Sequence, residues 1–455
     1  MTATIDALRR HAGADVVVRA PTAADLTDAT EPRGLRGHAE AVAEPSTAAG
    51  VAAVMRWCYE RGLPVVPRGG GTGYAGGAVP TQGGVIVSLA RMTAVRTFSP
   101  LLWRIHVEAG VRTAELRRIV RESGVWFPPD PGAAESSQIG GNIATNAGGP
   151  HAFKYGVTGV WVTGLELVVP PGDIVHVGGP ARKDVAGYDL RHLVVGSEGT
   201  LAIITAAWLR LIPAVERSLP VIGLYPTVAA GCAAIEAAMA SGIVPAAIEY
   251  LDAGTMRHAA ATFPLPVPDG AFAVLTEADG SVTEAAAGRA ALVDALGEGA
   301  VAVHAPDADA EIAALWRWRS GVSIAINAVR GSRVSEDIAV PVDRLAEAVS
   351  GTLAIGARHG LEAMSWGHAG DGNLHSSFLV DAGDERTLAR AEAASDELFA
   401  LAIALGGTVS GEHGVGALKN GQLRSQWEPR AVELHTAVKR LFDPQGLLNP
   451  GKKLA

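Results

Sequence analysis

Cysteine is almost absent from this 455-residue sequence, which contains only Cys58 and Cys232. Two thiols cannot build a disulfide framework, an iron–sulfur cluster or a Cys-based zinc site, and their scarcity fits a reducing compartment. Runs of like charge are also missing, and 38 basic against 47 acidic residues give a net charge of −9. This balance argues against a nucleic-acid-binding or anionic-membrane-binding surface.

Targeting signals are lacking as well. The N-terminal residues do not show the basic and then apolar pattern of a secretory signal, and the uncharged run from Ser218 to Ile235 is broken by Gly223, Pro226 and Gly231, which is not typical of a membrane-spanning helix. We therefore expect a cytoplasmic protein without a transmembrane segment, and peripheral attachment to the inner membrane stays open. With 48% hydrophobic residues, the chain can bury at least two domain cores.

Glycine, in contrast, is plentiful, and many of the 55 glycines lie between Gly69 and Gly199 among β-branched runs. This pattern predicts strands and loops, with one helix over "TAELRRIVRESG". After Pro213 the sequence predicts strands at 219–224, 272–277 and 301–304, alternating with helices from Val228 and at 284–296, 343–359 and 386–405. We predict an α+β protein with three segments: 1–214, 215–414 with an antiparallel sheet, and 415–455 returning to the first.

Six of the nine residues at 69–77 are glycine, directly after an apolar strand pattern. "GTGYAG" matches the dinucleotide motif G-x-G-x-x-G, but "GAVPTQGG" cannot begin the required helix, and no acid between Glu60 and Glu108 could bind a ribose. A P-loop is excluded because no Gly-Lys-Ser/Thr follows. The remaining interpretations are a backbone N–H nest for a diphosphate and a flexible turn. A second cluster, "PPDPGAAESSQIGGNIATNAGGPHAFKYG", favours the nest, because two such clusters can line a long cofactor.

Two imidazoles, His368 and His375, flank a Gly-Asp-Gly turn in "WGHAGDGNLH", and "GGTVSGEHGVGALKNG" places Glu412 and His413 among glycines. Two histidines and a glutamate with an open fourth position form a ligand set for Zn²⁺, and also for Mn²⁺ or Fe²⁺. A tight turn without a ligand is the competing interpretation. Adjacent residues of an extended segment point to opposite sides, so Glu412 and His413 are expected to do different tasks.

Several motifs together resemble a known family. "PRGGGTGYAGG", "PPDPG", "GGNIATNAGG", "KYG", "VVGSEGTLAIIT" and "FDPQGLLNPGK" are similar to the vanillyl-alcohol-oxidase-type (PCMH) FAD-binding fold. The rest resembles the FAD-linked D-2-hydroxyacid dehydrogenases, which include D-lactate and D-2-hydroxyglutarate dehydrogenase and the flavin subunit of glycolate dehydrogenase. The likeness runs from about residue 40 to the C-terminus and implies a PCMH-type domain followed by an α+β FAD-linked oxidase C-terminal domain.

The resemblance implies non-covalent FAD, because the first loop lacks the histidine that carries the flavin in covalently modified relatives. It assigns the diphosphate to the first glycine loop, the flavin and ribityl chain to the second cluster, and the adenine side to the "GSEGTLAI" motif. The residues that match FAD contacts are Pro67, Arg68, Gly69, Gly70, Gly71, Thr72, Gly73, Gly76, Pro131, Gly132, Ser136, Gly140, Asn142, Thr145, Gly149, Tyr155, Gly156, Glu198, Gly199, Ile204 and Asn449.

The resemblance also implies that His368, His375 and Glu412 hold the divalent metal and that His413 is the base near the flavin. The family's Trp-x-x-Arg pattern maps to Arg319 as the partner of the substrate carboxylate. Further substrate contacts are expected at Ser323, on the same helical face as Arg319, and at Asn373. The implied reaction is oxidation of a D-2-hydroxy acid to the 2-oxo acid, with hydride transfer to flavin N5.

Alternatives to this reaction stay open. They are an oxygen-using oxidase, a flavin subunit of an electron-transfer complex, and a redox-neutral enzyme such as alkyl-dihydroxyacetone-phosphate synthase, whose histidine-rich motif is absent here. A dehydrogenase needs an external acceptor: a quinone, a cytochrome, an electron-transferring flavoprotein or an iron–sulfur subunit. A homodimer is compatible with the sequence. Some dicarboxylate-using members carry a Lys where this chain has Ser335 and Glu336, which argues against 2-hydroxyglutarate and leaves lactate, glycolate and larger apolar acids.

Overall fold

The computed structural model describes residues 2–453, which form two compact units. The first unit contains the chain up to Gly148, Val157–Ala214 and the chain from Glu412 onward, and the second contains Gly149–Gly156 and Val215–Gly411. These boundaries differ from the expected segments at two places. Gly149–Gly156 lies in the second unit, and Glu412 and the two residues after it lie in the first.

The secondary structure alternates between strands and helices along the described chain. The strands are β1 Val16–Arg19, β2 Ala41–Pro45, β3 Val65–Arg68, β4 Val85–Ser88, β5 Val95–Ser99, β6 Arg104–Glu108, β7 Val125–Trp126, β8 Val162–Val169, β9 Asp173–Gly178, β10 Ile203–Arg210, β11 Ile212–Pro213, β12 Arg217–Tyr225, β13 Ala247–Leu251, β14 Phe272–Gly280, β15 Ala302–His304, β16 Gly331–Ala339, β17 Ala363–His368 and β18 Asn373–Asp381. The α-helices are α1 Thr2–Ala12, α2 Ala48–Tyr59, α3 Thr113–Arg121, α4 Ile139–Thr145, α5 Ala152–Tyr155, α6 Leu190–Val194, α7 Val228–Ala240, α8 Ala253–Ala259, α9 Val282–Gly297, α10 Asp309–Arg330, α11 Leu345–Arg358, α12 Glu385–Ala404, α13 Leu423–Gln426 and α14 Pro429–Phe442.

The first unit contains two main sheets. One has the strand order β1-β2-β4-β3, in which β4 runs parallel to both β2 and β3, and the other is antiparallel with the order β5-β6-β10-β8-β9. Apolar faces of α1, α2 and the first sheet share one core, which includes Leu8, Met55, Val85 and Leu448. The C-terminal residues join this core because Asn449 N donates to Val65 O over 2.7 Å.

The second unit is built on one antiparallel sheet with the order β15-β12-β14-β13-β17-β18-β16. Helix α10 packs its buried Leu315, Trp318, Val322 and Ile326 into the core of this unit. The predicted antiparallel sheet covered by helices is confirmed.

Short polar side chains set the starts of helices in this unit. Asp252 Oδ1 accepts from Thr255 N over 2.7 Å before α8, and Ser281 and Glu284 form a capping box at α9. Such caps satisfy backbone N–H groups that the helix itself cannot. Among the described helices, none is both long and apolar enough to cross a bilayer.

Candidate active site

The two predicted ligand histidines lie on a hairpin inside the second unit. Strands β17 and β18 pair antiparallel, and the chain reverses through a short 3-10 turn that ends at Gly372, whose φ is +73°. The Nε2 atoms of His368 and His375 lie 3.4 Å apart, and the two rings are perpendicular. Both residues are buried, so the hairpin brings two imidazole nitrogens together away from bulk water.

A buried glutamate holds the far side of one imidazole. Glu249 on β13 is the register partner of His368 on β17, and its Oε1 lies 2.6 Å from His368 Nδ1. The other carboxylate oxygen forms an ion pair with Arg319 Nη2 from α10. Burial raises the pKa of Glu249, but the charges and hydrogen bonds of Arg319 and His368 outweigh it, so the pKa lies below its usual value. An ionised carboxylate only accepts hydrogen bonds, so it holds the Nδ1 proton of His368, and in the neutral imidazole Nε2 then presents its lone pair towards His375.

The histidine pair suits a divalent metal in both chemistry and spacing. Two imidazole nitrogens at Zn–N distances of 2.0–2.1 Å on a tetrahedral ion are separated by about 3.3 Å. The observed separation of 3.4 Å matches that spacing. A ligating histidine whose other nitrogen donates to a carboxylate is the usual arrangement around protein-bound metals.

Asp337 is a further acidic residue beside His375 that the sequence reasoning missed. It lies on β16 as the register partner of His375, is fully buried, and has an oxygen within 4.8 Å of a ring nitrogen of His375. Its carboxylate accepts from Asn373 Nδ2 over 2.6 Å and from Ser410 Oγ over 2.9 Å. The sequence signal available for Asp337 was the acidic stretch "SED" directly before an apolar segment.

The predicted substrate residues fall into two groups. Arg319 is buried, and its Nε has no acceptor among the described residues; Asn373 Oδ1 likewise has no donor there. Buried polar atoms of this kind are costly unless a ligand or water satisfies them, so Arg319 Nε fits a ligand carboxylate and Asn373 Oδ1 fits a ligand hydroxyl that donates to it. Ser323 differs, because its Oγ accepts from Arg333 Nη2 over 2.6 Å.

In the first unit, Glu412 and His413 follow a glycine and are half-buried. His413 stacks on Tyr74 with ring centroids 4.9 Å apart, and its Nε2 lies 3.7 Å from Glu412 Oε1. The loop that follows is anchored by Glu198, whose carboxylate accepts from Val415 N and Gly416 N over 2.9 and 2.7 Å. These contacts fix the His413 ring.

The first glycine loop and the second small-residue cluster approach each other in the same unit. A Cβ built on Gly70 would overlap Ser136 O, and one on Gly69 would lie 3.5 Å from the Cα of Gly141. A Cβ on Gly132 or Gly141 would meet no atom within 4 Å. Only glycine permits the close approach of residue 70 to Ser136, and the open space at Gly132 and Gly141 can accommodate a ligand.

Buried polar atoms near these loops also fit a polar cofactor. Gln138 Oε1, Ser197 Oγ and Asn449 Oδ1 have no hydrogen-bond partner among the described residues. Asn449 Nδ2 meanwhile donates to Gly77 O over 3.0 Å, so it holds the first loop in place. The residues here fit FAD, which offers both acceptors and donors along its length.

Several predicted FAD residues have other partners in this structure. The Arg68 guanidinium donates to Thr27 O and Ala24 O, both over 2.8 Å, so it secures the N-terminal segment. Tyr155 lies in the second unit together with Gly149 and Gly156, and its hydroxyl donates to Asp279 over 2.5 Å. The remaining predicted FAD residues lie in the first unit: Pro67, Thr72, Gly71, Gly73, Gly76, Pro131, Gly140, Asn142, Thr145, Gly199 and Ile204.

Comparison with protein families places two models on the chain. The model described as "FAD linked oxidases, C-terminal domain" matches residues 217–453, and the model described as "FAD binding domain" matches residues 39–178. The first match covers more than half of the chain and includes both hairpin histidines.

Curated relatives resemble the chain over most of its length. The glycolate oxidase subunit GlcD of Bacillus subtilis is 36% identical over 91% of this chain and 89% of its own. The D-lactate dehydrogenase of Archaeoglobus fulgidus is 36% identical over 90% of both chains. Among solved structures, p-cresol methylhydroxylase aligns with a TM-score of 0.75 over 92% of this chain and 89% of its own, at 18% identity. That structural likeness supports the fold alone.

Proposed function

The chain belongs to the FAD-linked oxidases, and from that premise we propose that it oxidises a D-2-hydroxy acid to the corresponding 2-oxo acid. The family confirms an FAD-dependent oxidoreductase with a PCMH-type FAD-binding domain, as the motifs predicted. The observation that carries the finer proposal is the buried His368–His375 pair, held by Glu249 beside the free donor of Arg319.

FAD would be held non-covalently by the first glycine loop and by the second cluster of small residues. When bound, FAD supplies the acceptor for the hydride that leaves the substrate α-carbon. The protein would contribute backbone N–H groups of the glycine loop, together with the polar side chains Gln138, Ser197 and Asn449, and the lack of a histidine in that loop supports non-covalent binding.

His368 and His375 would hold a divalent metal, Zn²⁺ first and Mn²⁺ or Fe²⁺ as alternatives. Such an ion acts as a Lewis acid that lowers the pKa of a bound hydroxyl. Sequence resemblance adds Glu412 as a third ligand. The described contacts support the histidines directly, since His368 already presents Nε2 and the register places Asp337 beside His375.

Arg319 would bind the substrate carboxylate. Its guanidinium is a planar fork that suits two carboxylate oxygens, and its Nε has no acceptor within the described chain. Asn373 would orient the substrate through its Oδ1, because its Nδ2 is already used by Asp337. Two fixed polar contacts would select a substrate that carries a carboxylate and a hydroxyl.

His413 would accept the hydroxyl proton on an imidazole nitrogen. A histidine suits this role because it titrates near neutral pH, and the stack on Tyr74 restricts its ring. Electrons would then leave through an external acceptor, because the two cysteines cannot hold an iron–sulfur relay.

The test is anaerobic mixing of the purified protein with matched D- and L-forms of lactate and of larger apolar 2-hydroxy acids, and with achiral glycolate. We expect one D-acid to bleach the flavin absorbance, a chelator to abolish the bleaching, and Zn²⁺ or Mn²⁺ to restore it. The L-acid of each pair is the control.

Absence of bleaching by every acid, in protein that holds both FAD and metal, would contradict the proposal and favour redox-neutral chemistry. Bleaching that persists after complete metal removal would contradict the proposed role of the metal but would still support oxidation of the hydroxy acid. Steady turnover with oxygen at the rate seen with artificial dyes would replace the external acceptor with an oxidase reaction.

A further inference from the structure

Glu249 is a single acid in an otherwise apolar strand. Its neighbours on β13, Ala247, Ile248, Tyr250 and Leu251, are all buried, and the Glu249 side chain is 0% exposed. A carboxylate in such surroundings loses its hydration, and the fold tolerates it only with strong partners. The chain therefore retains a charge where an apolar residue would pack at lower cost.

The two partners of Glu249 lie on different elements and use different oxygens. Oε1 lies 2.6 Å from His368 Nδ1 on β17, and Oε2 pairs with Arg319 on α10. We propose that Glu249 is a positioning residue that fixes the tautomer and ring orientation of His368 for metal binding, with Arg319 as its counter-ion. This inference rests on the proposed function, because it assigns a role at the same site.

The geometry favours this role over a purely structural ion pair. A Glu–Arg pair alone needs no imidazole, whereas here one carboxylate oxygen is given entirely to His368. Because Nδ1 keeps the proton, Nε2 remains the ligand nitrogen, 3.4 Å from Nε2 of His375. A carboxylate behind a ligating histidine also increases the basicity of the ligand nitrogen.

The position of Arg319 extends the consequence towards the substrate. Its Nη2 pairs with Glu249, while its Nε has no acceptor among the described residues. The Arg319 guanidinium thus contacts Glu249, which orients His368, and it also carries the N–H donor proposed for the substrate carboxylate. Glu249 is thereby also a positioning residue for Arg319.

Asp252, which directly follows the same strand and caps α8, provides a matched control. It is 1% exposed, and its two oxygens accept from Thr255 N and Ser365 N over 2.7 and 3.0 Å. Neither oxygen contacts an imidazole. Replacing either Glu249 or Asp252 removes one buried carboxylate, but only the first change reaches His368.

The experiment measures Zn²⁺ affinity of the full-length flavoprotein by competition with a chelator, and records the visible spectrum of the Co²⁺-loaded protein. We expect Glu249→Gln to weaken Zn²⁺ binding about 10- to 100-fold and to change the Co²⁺ spectrum, because the neutral amide no longer enforces the tautomer. Asp252→Asn should keep both readouts. Flavin content, measured on every variant, reports that the protein is folded.

If Glu249→Gln does not fold, Glu249→Asp replaces it, because aspartate keeps the charge beside Arg319 but is one methylene shorter towards His368. Equal Zn²⁺ affinity in wild type and Glu249 variants overturns the inference, and so does an equal loss in Asp252→Asn. Wild-type protein that oxidises a D-acid but binds neither Zn²⁺ nor Co²⁺ overturns the metal part of the proposed function instead. The wild-type measurement therefore separates the two failures.

Discussion

The ring of His413 is held by an aromatic stack in the first unit. If this imidazole accepts the substrate proton, His413→Asn should lower kcat by about 10²- to 10⁴-fold while flavin and metal content stay unchanged. His435 is a matched control because it also stacks on an aromatic ring, that of Trp427, with centroids 3.9 Å apart. Steady-state kinetics on both variants is the measurement, and a similar loss in His435→Asn would contradict a specific role for His413.

Arg319 combines burial with a fork of donors. We expect Arg319→Lys to raise KM for the hydroxy acid about 10- to 100-fold, because an ammonium cannot make the paired hydrogen bonds of a guanidinium. Arg317→Lys, on the exposed side of the same helix, should leave KM unchanged. The kinetics should be measured at saturating metal, so that a change in the His368 site does not contribute. Unaltered KM in Arg319→Lys would remove this residue from the substrate contacts.

At single residues, the sequence identified groups whose neighbours along the chain are distinctive, such as the histidines around Gly-Asp-Gly. It missed Glu249 and Asp337, because their roles come from strand pairing across more than 35 positions of sequence: Glu249 opposite His368, and Asp337 opposite His375. For Glu249 the local signal was the acid in "AAIEYL", since a charge inside a buried strand requires a partner. The direction of the Arg68 side chain could not be predicted either, because it is set by the carbonyl groups of Ala24 and Thr27, which are distant in sequence.

At the scale of elements, the hairpin depends on Gly372. Its φ is +73°, and a Cβ there would overlap Val340 O. We expect Gly372→Ala to lower the free energy of unfolding by about 2–4 kcal/mol, because strain and overlap add. Gly383→Ala is the control: its φ is +81°, but no atom lies within 4 Å, so only about 1 kcal/mol of strain is expected. Denaturant unfolding of both variants tests the difference, and equal losses would show that the overlap is relieved.

The elements of the second unit were predicted well because their helices and strands carry clear periodicities. The structure confirms the strand at 272–277 as β14 and the helix at 284–296 as α9, each slightly longer than predicted. The predicted helix over "TAELRRIVRESG" is α3. The parallel pairing of β4 with β2 and β3 could not be predicted, because sheet order depends on contacts distant in sequence.

At the scale of the whole molecule, the C-terminal residues return to the first unit and bury a lysine. Lys452 is 0% exposed, and its Nζ donates to Val79 O over 2.8 Å. Burial lowers the pKa of Lys452 from 10.5 to about 8. Between those pH values the unfolded chain holds a proton that the folded chain has released, so the free energy of unfolding rises with pH by up to about 3 kcal/mol.

Lys452→Met should remove that rise. The measurement is denaturant unfolding of wild type and variant at several values between pH 7 and pH 11, and their difference should grow with pH across the interval. Lys453→Met, at the partly exposed neighbouring lysine, should keep the wild-type slope. Parallel curves for wild type and Lys452→Met would contradict a lowered pKa.

The excursion of Gly149–Gly156 into the second unit has a consequence for inheritance. Within this segment Lys154 and Tyr155 bind Asp279, and His151 Nε2 lies 3.0 Å from Glu277. A single crossover at residue 214 would therefore bring a segment from one parent against acidic partners from another. Recombinants between diverging relatives should therefore be functional only when Gly149–Gly156 and β14 come from the same parent. We expect these two stretches to be inherited together, although more than a hundred residues separate them.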